Sequence, residues 1–383
     1  MGSRYAEVGV DVRKRGIESF RPALENLLPG AFCAVIGDPL SEKRGIVLHT
    51  DGAGSKPVQS YLQWRETGEK EWFGTLAQDV LAMNVDDVIC VGAAPQGFVD
   101  YVAINPIRVP KEDVLRGLSA CFSECISMLR RYGVRLRFAG GETADLPDQV
   151  RTLDVSGTVS ASVELARAIT GAGIRPGDLI VGLRSGGRAK YEKRENSGIM
   201  CNGITLARHC LMRKEYGRKY PETVEPGTRG YFGRFGADEY LERLGMSVGE
   251  AILSPTRIFA PVVLRIIQAA GEGVSGLVHN TGGGLTKCLR LGRNIRYVKD
   301  ELPEPDPIFL LIQEEGRVSW REMYQDFNVG VGFEVIVRRD AADEVLSAAE
   351  RFGLGARVIG RCERGSGGNS LIISAQHGKF VYR

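Results

Sequence analysis

Short apolar runs alternate along the chain with longer stretches whose apolar positions recur at helical spacing. Residues 45–50 and 99–104 read as strands, and residues 75–92 and 114–132 as helices. A turn cluster of Gly, Pro, Thr and Asp at 169–178 precedes the apolar strand 179–183, so the domain boundary is placed there. The expected domains are therefore 1–168 and 169–383. The second repeats the grammar, with a helix near 255–270 and strands near 333–337 and 356–360. The stretch 213–234 is rich in Arg, Lys, Tyr, Gly and Pro and reads as an exposed insertion. No short solenoid repeat is present. The fold class expected is α+β, built as two mixed α/β domains.

The helix at 75–92 carries an informative pattern. At 100° per residue, Asp79, Asp86 and Asp87 fall within an arc of about 100°. Ala77, Leu81, Val85 and Val88 cluster on the other side, the side expected to face the core. The acidic side also carries Leu76, Val80 and Met83, so it is not a plain solvated face. Carboxylates in an apolar setting usually have a cation or a hydrogen-bond partner. Magnesium takes one or two carboxylates together with water and substrate phosphates, which suits this helix.

Composition narrows the class. The chain has 383 residues, 43% hydrophobic and 25% charged, with a net charge of +3. That balance belongs to a globular protein and gives no argument for nucleic acid. No apolar run is long enough to span a bilayer, and residues 1–16 lack the apolar centre of a signal peptide, so a cytoplasmic, non-membrane protein is expected. None of the eight cysteines forms a Cys-x-x-Cys pair, which argues against zinc knuckles and redox motifs. Cys121 and Cys125 stand one helical turn apart, a spacing open to a soft metal but more usual for packed thiols.

Four segments carry candidate chemistry. At 49–56 a strand runs into Asp51, Gly52, Gly54, Ser55 and Lys56. Glycines let the backbone approach phosphate, Lys56 offers a point charge and Asp51 a ligand for a hard cation. The Walker spacing is absent, and an ordinary turn beginning Asp-Gly fits as well. The helix carboxylates come second. At 139–145 a Gly-Gly pair precedes Glu142 at the expected end of a strand. At 278–287, Thr281, Gly282, Gly283 and Gly284 open a helical stretch, where exposed amides favour an anion. His279 beside them is either a proton carrier or a packed histidine.

In this order, the segments resemble the aminoimidazole ribonucleotide synthetase family, the phosphoribosylformylglycinamidine cyclo-ligases. The family's Thr-Asp-Gly-x-Gly-Thr-Lys is matched at 50–56, its Asn-Asp pair and Gly-Ala-x-Pro at 86–87 and 92–95, and Gly-Gly-Glu-Thr-Ala at 140–144. Ser-Asn-Gly is echoed at 201–203, Pro-Thr-Arg-Ile stands at 255–258, and His-x-Thr-Gly-Gly-Gly at 279–284. Met-Tyr-x-x-Phe-Asn-x-Gly-Val-Gly runs through 323–332. The resemblance implies an ATP-dependent ring closure of formylglycinamidine ribonucleotide that releases ADP and phosphate. It also implies a homodimer whose amino-terminal domains pair through their sheets, with carboxy-terminal sheets covered by helices. ATP and Mg2+ are the implied nucleotide and metal. Asp51, Asp87 and Glu142 are the expected metal positions, and Asp51, Lys56, Asp87, Glu142 and His279 the catalytic set. Gly52, Gly54, Ser55, Asn202, Thr281, Gly282, Gly283 and Gly284 are the expected nucleotide or phosphate contacts.

Three departures mark a divergent branch. Met200 stands where many relatives have His, the amino-terminal glycine loop is shortened to 28–34 with no counterpart to an upstream Lys, and insertions occur near 187–195 and 213–234. Selenophosphate synthetase and thiamine monophosphate kinase share the expected fold and are the enzymatic rivals. A nucleotide-binding regulator without turnover is the rival from another class.

Overall fold

The computed structural model describes residues 3–11 and 16–383. Residues 1–2 and 12–15, within the stretch read for a leader, lie outside the described residues.

Two sheets divide the chain. The first is five-stranded, in the order β1-β2-β5-β3-β4, built from Ile36–Asp38, Ser41–Gly52, Ala94–Ile104, Arg137–Asp145 and Leu153–Glu164 as β1 to β5. β3 and β4 run parallel, joined by the crossover helix α4 (Lys111–Arg131), and the remaining pairs are antiparallel. The second sheet has seven strands, ordered β14-β13-β10-β12-β6-β11-β9. Its strands are β6 (Leu179–Arg184), β9 (Val274–His279), β10 (Ile295–Lys299), β11 (Val331–Val337), β12 (Ala356–Arg364), β13 (Ser370–Ala375) and β14 (Gly378–Tyr382). The short hairpin β7 (Tyr240–Leu241) and β8 (Met246–Ser247) stands apart. The helices besides α4 are α1 (Arg4–Glu7), α2 (Lys56–Thr67), α3 (Glu71–Ile89), α5 (Ile204–Leu211), α6 (Tyr216–Lys219), α7 (Val248–Leu253), α8 (Ala260–Ala270), α9 (Pro307–Gly316), α10 (Trp320–Asp326) and α11 (Ala342–Arg351). The mixed α/β expectation agrees with this architecture.

The helix expected at 75–92 is α3, which begins four residues earlier and is buried on every side. From Trp72 to Ile89, all residues but Thr75 and Gln78 are buried. One flank packs on β2 and β5, another on α4, and the third on α8 of the second half. A core cluster accordingly runs from Val80 and Val85 through Phe259 and Val263 to Phe333. The acidic arc of α3 thus faces the other half of the chain.

The expected exposed insertion at 213–234 is instead anchored. Tyr216, Tyr220 and Tyr231 are buried in the second core, and the Arg65 guanidinium of α2 lies 4.9 Å from the Tyr220 ring centroid. Aromatic residues in a Gly- and Arg-rich stretch cover apolar surface, while their hydroxyls keep polar partners. The other insertion is pinned by the fully buried Arg257, which donates to Glu192 at 2.7 and 2.6 Å and to the Gly187 carbonyl at 2.9 Å.

Beneath the second sheet's glycine loop, Lys299 and Glu334 form a fully buried ion pair at 2.6 Å. The same Glu334 oxygen accepts from the Asn280 amide at 2.8 Å. Removing one partner of such a pair strands the other charge in a low dielectric. Glu334→Ala should therefore lose about 3–5 kcal/mol of stability, whereas Lys299→Met combined with Glu334→Leu should recover most of it. Urea unfolding of the three proteins checks this; an additive double variant would contradict it.

Candidate functional site

The three carboxylates of α3 hold three different partners. Asp79 Oδ1 accepts from Lys56 Nζ at 2.6 Å and from the Thr256 amide and hydroxyl at 2.7 and 2.6 Å. Lys56 also donates to the Ser254 carbonyl at 2.6 Å, and both charged side chains are fully buried. Lys56 is therefore committed to the seam between the sheets, because a buried ammonium needs a close counter-ion. It does not stand with Asp51, as a phosphate contact in the 49–56 segment was expected to do. Asp86 accepts from the Phe259 and Ala260 amides at 2.8 and 2.7 Å, satisfying the start of α8. Burial raises the Asp86 pKa well above the carboxylate range, against the pull of those amides.

Asp87 is the carboxylate left for chemistry. His279 Nδ1 lies 2.7 Å from its Oδ1, and His49 Nε2 and Lys287 Nζ lie 3.4 and 3.8 Å from its Oδ2. Burial opposes its charge, yet Lys287 and the hydrogen bonds from His279 and His49 hold its pKa far below the usual range. Asp51 completes the group, accepting from the Gly52 amide at 2.8 Å, and burial raises its pKa. Ligand atoms of His49, Asp51 and Asp87 all lie within 4.8 Å of one another. Two carboxylate oxygens that close fit one divalent cation, an ion that takes its further ligands from water and phosphate oxygens.

His49 is not among the site residues expected from the sequence. The signal was the period of two: His49 and Asp51 are two apart on β2, so both face α3. Glu142 fails the same test. Asp51 pairs across the sheet with Gly157, Asp100 and Gly141, whereas Glu142 shares its row with Tyr101, Ser156 and Gly52. Glu142 therefore sits on the opposite face of the sheet, exposed, inside the edge strand rather than at its end. The expected set of Asp51, Asp87 and Glu142 is not assembled within one chain; His49 stands in the third place.

The second domain closes the site from above. Asn202 donates to the Asn280 carbonyl at 2.5 Å, and Asn280 is fixed by Val331 and Glu334. Ser55 meets Thr205 hydroxyl to hydroxyl at 2.8 Å, which brings the Gly52–Gly54 turn against α5. Gly203 must be glycine: its φ is +68°, and a Cβ would come within 2.0 Å of Phe327. Gly284 is equally constrained, with φ +49° and the Phe327 carbonyl 2.3 Å from a would-be Cβ. Gly282 has open space beside it, and Gly283 turns with φ +103°. The helical stretch expected after this loop is a 3-10 turn, Gly284–Arg290. Thr281 accepts from Lys287 at 2.5 Å. His279 Nε2 and Asn202 Oδ1 are buried without a hydrogen-bond partner among the described residues. Burial lowers the His279 pKa, and Asp87 on Nδ1 leaves Nε2 as the free ring nitrogen. Met200, at the family's His position, is fully buried in the first core with φ +60°.

Comparison with known proteins gives this arrangement its lineage. The description "AIR synthase related protein, N-terminal domain" matches residues 30–163, and the corresponding C-terminal domain matches 175–372. The chain is 37% identical over 317 residues to phosphoribosylformylglycinamidine cyclo-ligase of Methanocaldococcus jannaschii, covering 82% of this chain and 77% of the relative. The cyclo-ligase of Methanothermobacter thermautotrophicus is 34% identical, with 90% of each chain covered. That of Alkaliphilus metalliredigens is 30% identical over 94% of this chain and 96% of its own. Among solved structures, hydrogenase maturation protein HypE superposes with a TM-score of 0.56 at 14% identity, covering 96% of each chain. AaThiL complexed with AMPPCP and TMP gives the same score, identity and coverage. These structural likenesses establish the fold. With both domain descriptions matched in order and relatives at 34% and 30% identity over 90% or more of the chain, the chain belongs to the AIR synthase related family.

Proposed function

We propose that this chain is an ATP-dependent cyclo-ligase that converts formylglycinamidine ribonucleotide to aminoimidazole ribonucleotide, releasing ADP and phosphate, in de novo purine synthesis in the cytoplasm. The observation that carries the reading is full-length identity to enzymes of that name, 30% over 94% of this chain in one case. The convergence of both domains on Asp87 supports it.

In this reading ATP phosphorylates the formamide oxygen, which turns a poor leaving group into a good one. The amidine-side nitrogen attacks that carbon, and phosphate departs. Asp51 and Asp87 would hold the Mg2+ ion of Mg-ATP, which would supply positive charge against the transferring phosphoryl group. The open amides around Gly282 and Gly283 and the Gly52–Gly54 turn receive phosphate oxygens. His279 Nε2 and Asn202 Oδ1, buried acceptors without a partner, suit the N–H groups of an amidine. Catalysis then rests on position and charge neutralisation. We place the division between the two working halves at 168/169.

A homodimer belongs to the same proposal. Leu48, Val99 and Tyr101 are 61%, 39% and 40% exposed, and they share the open face of the first sheet. An apolar sheet face of this kind suits a second copy. Glu142 lies on that face, so any part it takes in the site is taken across the pairing. The selenophosphate synthetase reading asks for a reactive thiol near the amino terminus. Cys33 instead is buried, donates to the Asp87 carbonyl at 3.2 Å, and has its pKa raised by burial.

Incubation with formylglycinamidine ribonucleotide and Mg-ATP should yield the imidazole product and one phosphate per turnover. ATP hydrolysis without that product, or no turnover at all, would refute the proposal. Asp87→Asn should cut turnover about a hundredfold, ~3 kcal/mol in the transition state, while the far-UV circular dichroism of the folded protein is retained. Near-wild-type turnover at saturating magnesium would remove Asp87 from the site. Met200→Leu should keep most activity, since a buried thioether tolerates an apolar replacement of like size. His279→Ala should lose much of it; the reverse ranking would overturn both assignments. Light scattering should give twice the chain mass at micromolar concentration, and a monomer mass would count against the pairing.

A further inference from the structure

The positive charge beside the carboxylates comes from Lys287. This residue lies on the 3-10 turn after the glycine loop and is 7% exposed. Its ammonium is bounded by three segments. Thr281 of the loop accepts from it at 2.5 Å, Asp87 Oδ2 of α3 lies 3.8 Å away, and the Phe32 ring centroid of the 28–34 segment lies 4.6 Å away.

Lys56 and Lys287 are held in contrasting ways. Lys56 has a carboxylate and a carbonyl within 2.6 Å and no exposed surface. Pulling it toward a ligand would break a buried ion pair and leave Asp79 short of its cation. Lys287 has one hydroxyl as its hydrogen-bond partner among the described residues. Its distance to Asp87 is longer than a hydrogen bond. An ammonium has three N–H donors, so two of them remain for an incoming oxygen. The long stem can swing the charge a few ångströms, and Thr281 tethers it at the loop where phosphate oxygens are expected.

We propose that Lys287 has two successive roles: an internal counter-ion for Asp87 in the nucleotide-free enzyme, then a phosphate contact once a metal–nucleotide arrives. The proposal rests on the nucleotide-binding reading given above. Asp51 and Asp87 stand within one metal's reach of each other, so without a cation their charges repel. Lys287 offsets that repulsion at Asp87 Oδ2, the oxygen that His49 also approaches. A divalent ion arriving at Asp87 takes over the neutralisation, which releases the ammonium to the phosphate oxygens.

The two roles predict effects of opposite sign. Lys287→Met should bind Mn2+ at least tenfold more tightly than wild type without nucleotide, because the competing cation is gone. The same variant should bind a non-hydrolysable ATP analogue with Mg2+ at least tenfold more weakly. Lys287→Arg should recover much of the nucleotide affinity and keep the wild-type Mn2+ affinity, and it serves as the folded control should the methionine variant misfold. Both quantities are read by titration calorimetry on the intact dimeric or monomeric protein, whichever form it takes. Unchanged Mn2+ affinity in Lys287→Met overturns the counter-ion role, and unchanged nucleotide affinity overturns the phosphate role. A wild-type protein that binds Mn2+ but no nucleotide would refute the nucleotide reading itself, and the phosphate role with it. Wild-type nucleotide binding with indifferent Lys287 variants would refute the Lys287 assignment alone.

Discussion

Burying a carboxylate is costly unless something replaces its water, and α3 buries three of them. That constraint ties the two halves together. Asp79 takes a lysine from α2 and a threonine from the second half, Asp86 takes the first amides of α8, and Asp87 takes His279 from the end of β9. Each bond crosses from α3 to a different segment, so the relative position of the sheets is set by charge as much as by apolar packing. Shifting one sheet by a single strand spacing would leave at least one buried anion without its donor.

The three carboxylates are not equivalent, and the difference comes from their partners. Asp79 is met by an ammonium and two donors at 2.6–2.7 Å, all on Oδ1, which ties its charge to the seam between the sheets. Asp86 is hydrogen-bonded by two neutral amides and lies beside the like charge of Asp87, and burial raises its pKa in spite of those amides. Asp87 alone combines an imidazole donor, a second histidine and a nearby ammonium with the open side where Asp51 stands. Adjacent groups whose environments push their pKa values apart are the usual mark of a working site.

Much of this was legible in the sequence. The helix at α3, its acidic arc, the glycine loop and the order of the motifs could all be read from spacing. What lay across from the arc could not. A 100° arc gives the direction of three side chains, whereas the second-half partners that tell them apart, Thr256, Phe259, Ala260 and His279, stand 173 to 192 positions away in the chain. Lys56 looked like a phosphate cation because local sequence places it after two glycines. The fold sends its side chain inward to Asp79, and the ammonium beside Asp87 belongs to Lys287, 200 positions further along the chain. The two strand residues show the opposite case. The facing of His49 with Asp51 follows from alternation alone, but that of Glu142 depends on the irregular register between Phe98 and Asp100.

The same logic explains why the glycine loop is held so firmly from below. If the loop receives phosphate as proposed, it must keep its shape without the ligand, since ordering it on binding would subtract from affinity. Glu334 fixes Asn280, Asn280 fixes Asn202 through its carbonyl, and the packing of Phe327 forbids a side chain at both Gly203 and Gly284. The buried Lys299 beneath Glu334 is the cost of placing an acceptor there, since an unpaired carboxylate at that depth would not stay charged. The buried polar support lies in the second domain, while the clustered carboxylates Asp51 and Asp87 lie on β2 and α3. Closing the two against each other places fixed donors opposite movable charge. Transfer of a phosphoryl group requires that arrangement, because charge shifts during the reaction while the surrounding dipoles stay in place.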